Sequence, residues 1–100
     1  MHPPLVVNKY KDSFDIYIGR GSVYGNPFVI GKDGTREEVI AEYKHYLWRL
    51  FCDGDVTKEQ ILELSGKKLG CFCKPQACHG DMIVKLFEYV VKNEESMGNA

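Results

Sequence analysis

The chain predicts a small single α/β domain, with a short and mostly parallel sheet of about three strands and helices packed against it. Three observations carry that expectation. Short β-patterned segments flank a long helical stretch, so a crossover must join them, and crossovers favour parallel pairing under a helical layer. Two helices announce themselves with the same capping signature. Two unusual segments, one rich in glycine and one in cysteine and histidine, each directly follow a strand, where ligands of such sheets are held.

Taken in order, Leu5-Val6-Val7 is a short strand and Phe14-Asp15-Ile16-Tyr17-Ile18 alternates as a second. The loop Gly19 to Phe28 follows. Thr35-Arg36-Glu37-Glu38 is a capping box, because the threonine hydroxyl accepts from the backbone three residues on while the glutamate reaches back. Val39, Ile40, Tyr43, Tyr46, Leu47, Leu50 and Phe51 then recur at helical spacing and form one broad apolar face. Thr57-Lys58-Glu59-Gln60 repeats the capping device, and Ser65-Gly66 ends this shorter helix. Lys68 to Cys73 is the third strand. The last helix runs from about His79 to Lys92, with Met82, Ile83, Leu86, Phe87 and Val90 on its apolar face. The domain is therefore expected over residues 5–92, with 1–4 and 93–100 as loose ends and His2 mobile.

One hundred residues allow one domain, at a size where homo-oligomerisation often adds stability. Thirteen basic and fourteen acidic residues give a formal charge of −1 with no block of either sign, which opposes a nucleic-acid stripe or a polybasic membrane patch. No apolar run approaches the roughly 18 residues of a membrane span, and the amino terminus lacks a signal-peptide plan. A cytoplasmic location is expected. The four cysteines do not form the spaced framework of a secreted domain, so they read as reduced thiols or metal ligands.

The chemistry concentrates in Cys71-Phe72-Cys73-Lys74-Pro75-Gln76-Ala77-Cys78-His79-Gly80-Asp81. Cys71 and Cys73 are two apart on a strand, so their sulfurs share a face, and the blander reading makes them small buried hydrophobes. Cys78 and His79 stand at a helix start, where orphan N–H groups and the dipole favour thiolates and anions. Asp81 either joins them as a catalytic carboxylate or simply charge-matches the first turn. Cys71, Cys73, Cys78 and His79 make a legitimate zinc set, but their crowding within nine residues opposes the usual pair of separated knuckles. No metal or other cofactor is therefore assigned, and a Cys73 to Cys78 disulfide is disfavoured in a reducing compartment.

The loop supplies the second constellation. Gly21 lets backbone approach a ligand, Arg20 offers a fork for phosphate or carboxylate, and Ser22, Tyr24 and Asn26 add hydrogen-bonding groups. Against this stands a plain tight connection forced by Asn26-Pro27. The helical aromatics Tyr43, Tyr46, Trp48 and Phe51 read as packing, His45 as solvated and Cys52 as a bystander.

Val6-Val7-Asn8, Tyr17-Ile18-Gly19-Arg20-Gly21-Ser22, Tyr24-Gly25-Asn26-Pro27-Phe28 and Leu69 to Pro75 with Cys78-His79-Gly80-Asp81 closely resemble domain of unknown function 4326, a family of phages and bacteria. The likeness covers about residues 5–92; Phe72 stands where the family often has tryptophan. It implies domain limits and no established activity. A more local likeness, Cys71 to Asp81 only, is to domain of unknown function 488 and implies a Cys-His turn at a sheet edge.

Together these expectations describe a pocket of Arg20, Gly21, Ser22, Tyr24, Asn26 and Cys73 for an anionic small molecule, a nucleotide or nucleotide sugar. Cys78, His79 and Asp81 would carry transfer or hydrolysis at a phosphate or glycosidic bond. The rival is a non-catalytic binding or phage host-interaction protein in which the same residues shape the fold or hold a structural Cys3His zinc.

Overall fold

The computed structural model describes residues 2–19, 21–71 and 78–98, the last five by backbone alone. Its three strands, β1 (Leu5–Asn8), β2 (Ile16–Tyr17) and β3 (Lys68–Cys71), form one wholly parallel sheet in the order β1-β3-β2. Leu69 is opposite both Val6 and Ile16, and Gly70 opposite both Val7 and Tyr17. The expected α/β architecture is thus the observed one.

Short strands explain how residues 9–15 can join β1 to β2 across the central strand without a helix. Asn8 lies level with Cys71 and Ile16 with Leu69, so the chain retreats only two residues along the sheet. Asn8 turns it: its carbonyl accepts from the N–H groups of Lys11 (3.1 Å) and Asp12 (3.0 Å), and its Oδ1 from that of Tyr10 (2.8 Å). The connection then lays the Phe14 ring over Gly70, where an added Cβ would come within 2.6 Å of Phe14 Cγ. Phe14 is therefore outside the strand that alternation assigns to it. Pairing begins at Asp15, whose N–H donates to the Lys68 carbonyl (2.8 Å) while its Oδ2 accepts from the Lys68 N–H (2.8 Å).

The helices α1 (Arg36–Asp53), α2 (Lys58–Leu62) and α3 (Gly80–Gly98) cover the other face. Both capping boxes are present, Thr35 with Glu38 and Thr57 with Gln60. The Thr35 N–H and hydroxyl, bonded to the Glu38 carboxylate, hold its pKa below the ordinary 4.5. Gly54, in the left-handed region at φ 85°, closes α1 by donating its N–H to the Phe51 carbonyl.

Leu69 and Cys71 project from β3 into a core shared with Ile18, Tyr43, Leu47, Ile61, Leu64, Ile83, Leu86 and Phe87. Trp48 meets Tyr89 with ring centroids 6.5 Å apart, which adds a rim contact between α1 and α3. No helix among the described residues is long and apolar enough to cross a membrane.

Two ends depart from expectation. The His2 carbonyl accepts from the Gly66 N–H and the Ser65 hydroxyl, each at 3.0 Å, and Pro4 is buried, so residues 2–4 are docked rather than loose. Helix α3 continues past Lys92 to Gly98, because Asn93 to Met97 contain neither proline nor glycine to stop it.

Candidate functional site

The site forms where α3 begins, at the carboxyl edge of the sheet. Gly80 lets the helix start this close, since a Cβ there would come within 2.8 Å of Ile18 Cδ1 and 3.0 Å of Val6 Cγ1. The first turn is closed by the Asp81 N–H donating to the Cys78 carbonyl (3.0 Å) and the Met82 N–H to the His79 carbonyl (2.9 Å). That packing brings His79 against the end of β2.

His79 Nε2 lies 2.7 Å from the Ile18 carbonyl oxygen. A carbonyl only accepts, so Nε2 carries a proton, and whenever the ring is neutral its lone pair is on Nδ1. Nδ1 stands 3.6 Å from Cys78 Sγ. The same sulfur accepts the Gly80 N–H at 3.4 Å. Thiol, imidazole and an orienting acceptor thus stand in series, with a helix-start N–H aimed at the sulfur.

Behind the imidazole lies Tyr43, its ring edge-on to His79 with centroids 4.9 Å apart, and its hydroxyl donating to the Tyr24 carbonyl at 2.7 Å. Burial, chiefly, and the neighbouring Tyr46, Tyr24 and Cys78 push the Tyr43 pKa far above 10. Tyr43 therefore joins the glycine loop to the Cys-His turn as a neutral hydroxyl.

The expected site residues separate into three groups. Cys78 and His79 form the pair, while Asp81 caps it, its Oδ2 accepting the Cys78 N–H at 3.4 Å. Within the loop, the Ser22 hydroxyl donates to the Gly19 carbonyl (2.6 Å), and Asn26 accepts the Phe28 N–H (2.9 Å) and donates to the Val39 carbonyl (3.4 Å). Those two side chains stabilise the loop's own path and tie it to α1. Gly21 takes a positive φ of 88°, which favours glycine at this exposed turn.

Tyr24 is buried, with its hydroxyl side toward Glu63 at the end of α2. Arg20 and Cys73 lie outside the described residues, as does the Cys73 to Cys78 pairing. Cys71, the last residue of β3, is buried in the core. Among the described residues no group of three or more His, Cys, Asp or Glu could hold a metal ion; the Cys71, Cys73, Cys78, His79 set includes a residue outside them.

Sequence reasoning missed the Ile18 carbonyl and the role of Tyr43. A carbonyl belongs to every residue and so leaves no signature, and Tyr43 has the spacing of an ordinary core residue.

A parallel α/β domain with a Cys-His turn at the carboxyl edge of its sheet is the class that this geometry defines. The chain belongs to the family described as Domain of unknown function (DUF4326), whose model matches residues 7–89. It is similar to the uncharacterized 12.4 kDa protein in the nrdA-td intergenic region of Enterobacteria phage T4, at 43% identity over 90 residues, which cover 89% of this chain and 82% of that protein. No solved structure matches it significantly.

Proposed function

We propose that the domain is a cytoplasmic binder of an anionic small molecule, a nucleotide or nucleotide sugar, held at the carboxyl edge of the sheet and processed there by transfer or hydrolysis. The observation that carries this reading is the fixed imidazole: Nε2 is committed to Ile18, so Nδ1 faces the Cys78 sulfur. In the reaction Nδ1 takes the thiol proton and Sγ attacks the electrophilic phosphorus or anomeric carbon. The imidazolium then returns the proton to the leaving oxygen, and water or an acceptor hydroxyl releases the covalent adduct. Asp81 keeps Cys78 in register by accepting its N–H, and Arg20, from its residue type and its place just after β2, supplies positive charge to the anion.

A second reading, non-catalytic binding, is favoured by one specific observation: Cys78 is only 1% exposed. Calorimetric titration of the intact chain with nucleoside mono- and diphosphates and nucleotide sugars tests both. Saturable binding weakened at least tenfold by Arg20→Ala supports the nucleotide site, and no binding across the panel refutes it. With a ligand in hand, Cys78→Ser separates the two readings. Turnover lost with binding retained supports the nucleophile, whereas a ligand that is never turned over leaves a binding module.

A further inference from the structure

Beside the outer edge of β2 lies a cavity of about 210 Å³, separate from the Cys-His turn. Ile16, Val23 and Leu64 give it apolar walls, and Tyr24, Glu63 and Lys67 bring polar groups to it. Tyr24 is 8% exposed, yet its hydroxyl has no hydrogen-bond partner among the described residues. Among the described residues no buried side-chain oxygen is sealed off without a partner, so that hydroxyl keeps some accessible surface, and Tyr24 lines the cavity. Burial and the Glu63 charge hold its pKa above 10, so it remains a neutral O–H donor. The Glu63 carboxylate and the Lys67 ammonium likewise have no ion-pair partner among the described residues. Tyr24, Glu63 and Lys67 thus bring a hydroxyl, a carboxylate and an ammonium to one apolar-walled space.

The donor and acceptor types narrow the occupant. A carboxylate only accepts, with two oxygens, and is best matched by two adjacent N–H donors. The hydroxyl and the ammonium require acceptors next to those donors. Among the nucleobases, guanine alone places two adjacent donors, N1–H and the 2-amino group, beside the acceptor O6. Adenine and cytosine set one amino group beside a ring-nitrogen lone pair, and uracil flanks one N–H with two carbonyls, so each turns a lone pair toward the second carboxylate oxygen.

We propose that this cavity is a guanine-binding pocket, in which Glu63 accepts from N1–H and the 2-amino group, Tyr24 donates to O6, and Lys67 serves O6 or N7. Ile16, Val23 and Leu64 cover the ring faces, as apolar side chains do when a protein reads an extruded base. The pocket rests on the nucleotide reading above and names the base: its Ile16 and Lys67 stand where β2 and β3 begin, and Tyr24, whose carbonyl holds the Tyr43 hydroxyl beside His79, connects it to the carboxyl edge.

Methyl NMR of the intact protein titrated with guanosine, adenosine, cytidine and uridine tests it without involving the phosphate half of the ligand. Guanosine is expected to shift the Ile16, Val23 and Leu64 methyls saturably, and at least tenfold more tightly than the other three. Glu63→Gln should weaken it tenfold or more and Tyr24→Phe about three- to tenfold, the range for a lost charged and a lost neutral hydrogen bond. Neither variant removes a group the fold uses. Equal shifts with all four nucleosides, no shift with guanosine, or guanosine binding indifferent to Glu63→Gln would each overturn the pocket. Nucleotides that perturb His79 while these methyls stay unmoved sink the pocket and leave the nucleotide site standing. Guanosine in the pocket with no nucleotide effect at His79 upholds the pocket and removes the Cys-His reaction.

Discussion

Tyr43 shows how one side chain can link core packing to the chemistry of a site. It is fully buried, its ring edge supports the His79 imidazole, and its hydroxyl satisfies the Tyr24 carbonyl. Tyr43→Phe keeps the ring and removes the hydroxyl, so His79 should stay in place while a buried carbonyl loses its donor, at a cost of about 1 to 2 kcal/mol in urea unfolding. The hydroxyl also makes stability depend on alkaline pH. Its folded pKa is raised above the unfolded value of 10, so above pH 10 the unfolded chain sheds a proton that the native state retains, and stability falls as pH rises. Below pH 10 both states are neutral and no dependence arises from this group. Tyr24 acts in the same direction, so Tyr43→Phe should reduce the alkaline loss without abolishing it. An unchanged alkaline limb in the variant would show that Tyr43 ionises in the folded state. Residue type alone could not have revealed any of this, because tyrosine at helical spacing looks the same whether its hydroxyl meets water or a loop carbonyl.

Among the elements, α3 carries the site, and its placement depends on Gly80. A methyl group there meets Ile18 and Val6 at or below 3.0 Å, and both side chains are packed against the core, so the helix start must lift. Gly80→Ala should destabilise the domain by about 1 to 3 kcal/mol despite alanine's better helix propensity. It should also lengthen the His79 to Ile18 hydrogen bond, which a change in the imidazole nitrogen shifts by NMR would report. A stabilised variant with unchanged imidazole shifts would refute this account of the close approach. Elements with local codes were legible in the sequence: the two capping boxes fixed the starts of α1 and α2, and the apolar period fixed the buried face of α3. Elements defined by distant partners were less so. Alternation overextended β2 because Phe14 alternates correctly but is used to cover Gly70, and helix α3 ran on because no stop signal precedes Gly98. The Cys-His turn could be placed at a helix start from its flanking segments, whereas its orienting acceptor comes from 61 residues earlier and had no local trace.

At the scale of the whole molecule, the order β1-β3-β2 has a consequence for the time course of synthesis. Leu5 pairs with Lys68 and Ile16 with Leu69, separations of 63 (68 − 5) and 53 (69 − 16) positions, and neither early strand pairs with the other. A nascent chain emerging from the ribosome therefore exposes two strands with no neighbour to bond until β3 appears, with more than half of the chain already made. Loop closure over such spans must precede any sheet pairing, so refolding should be governed by long-range contacts and run slower than that of a helical domain of equal length. In stopped-flow refolding, α1 helicity is expected to gain no amide protection in the sheet until the slow phase. A fragment ending at Gly66 should show no protected amides in β1 or β2, and protection there would disprove the dependence. Until β3 is made, both strands present open edges of the kind that recruit other chains. The newborn protein is thus most prone to aggregation while its first 67 residues are complete and the central strand is still missing.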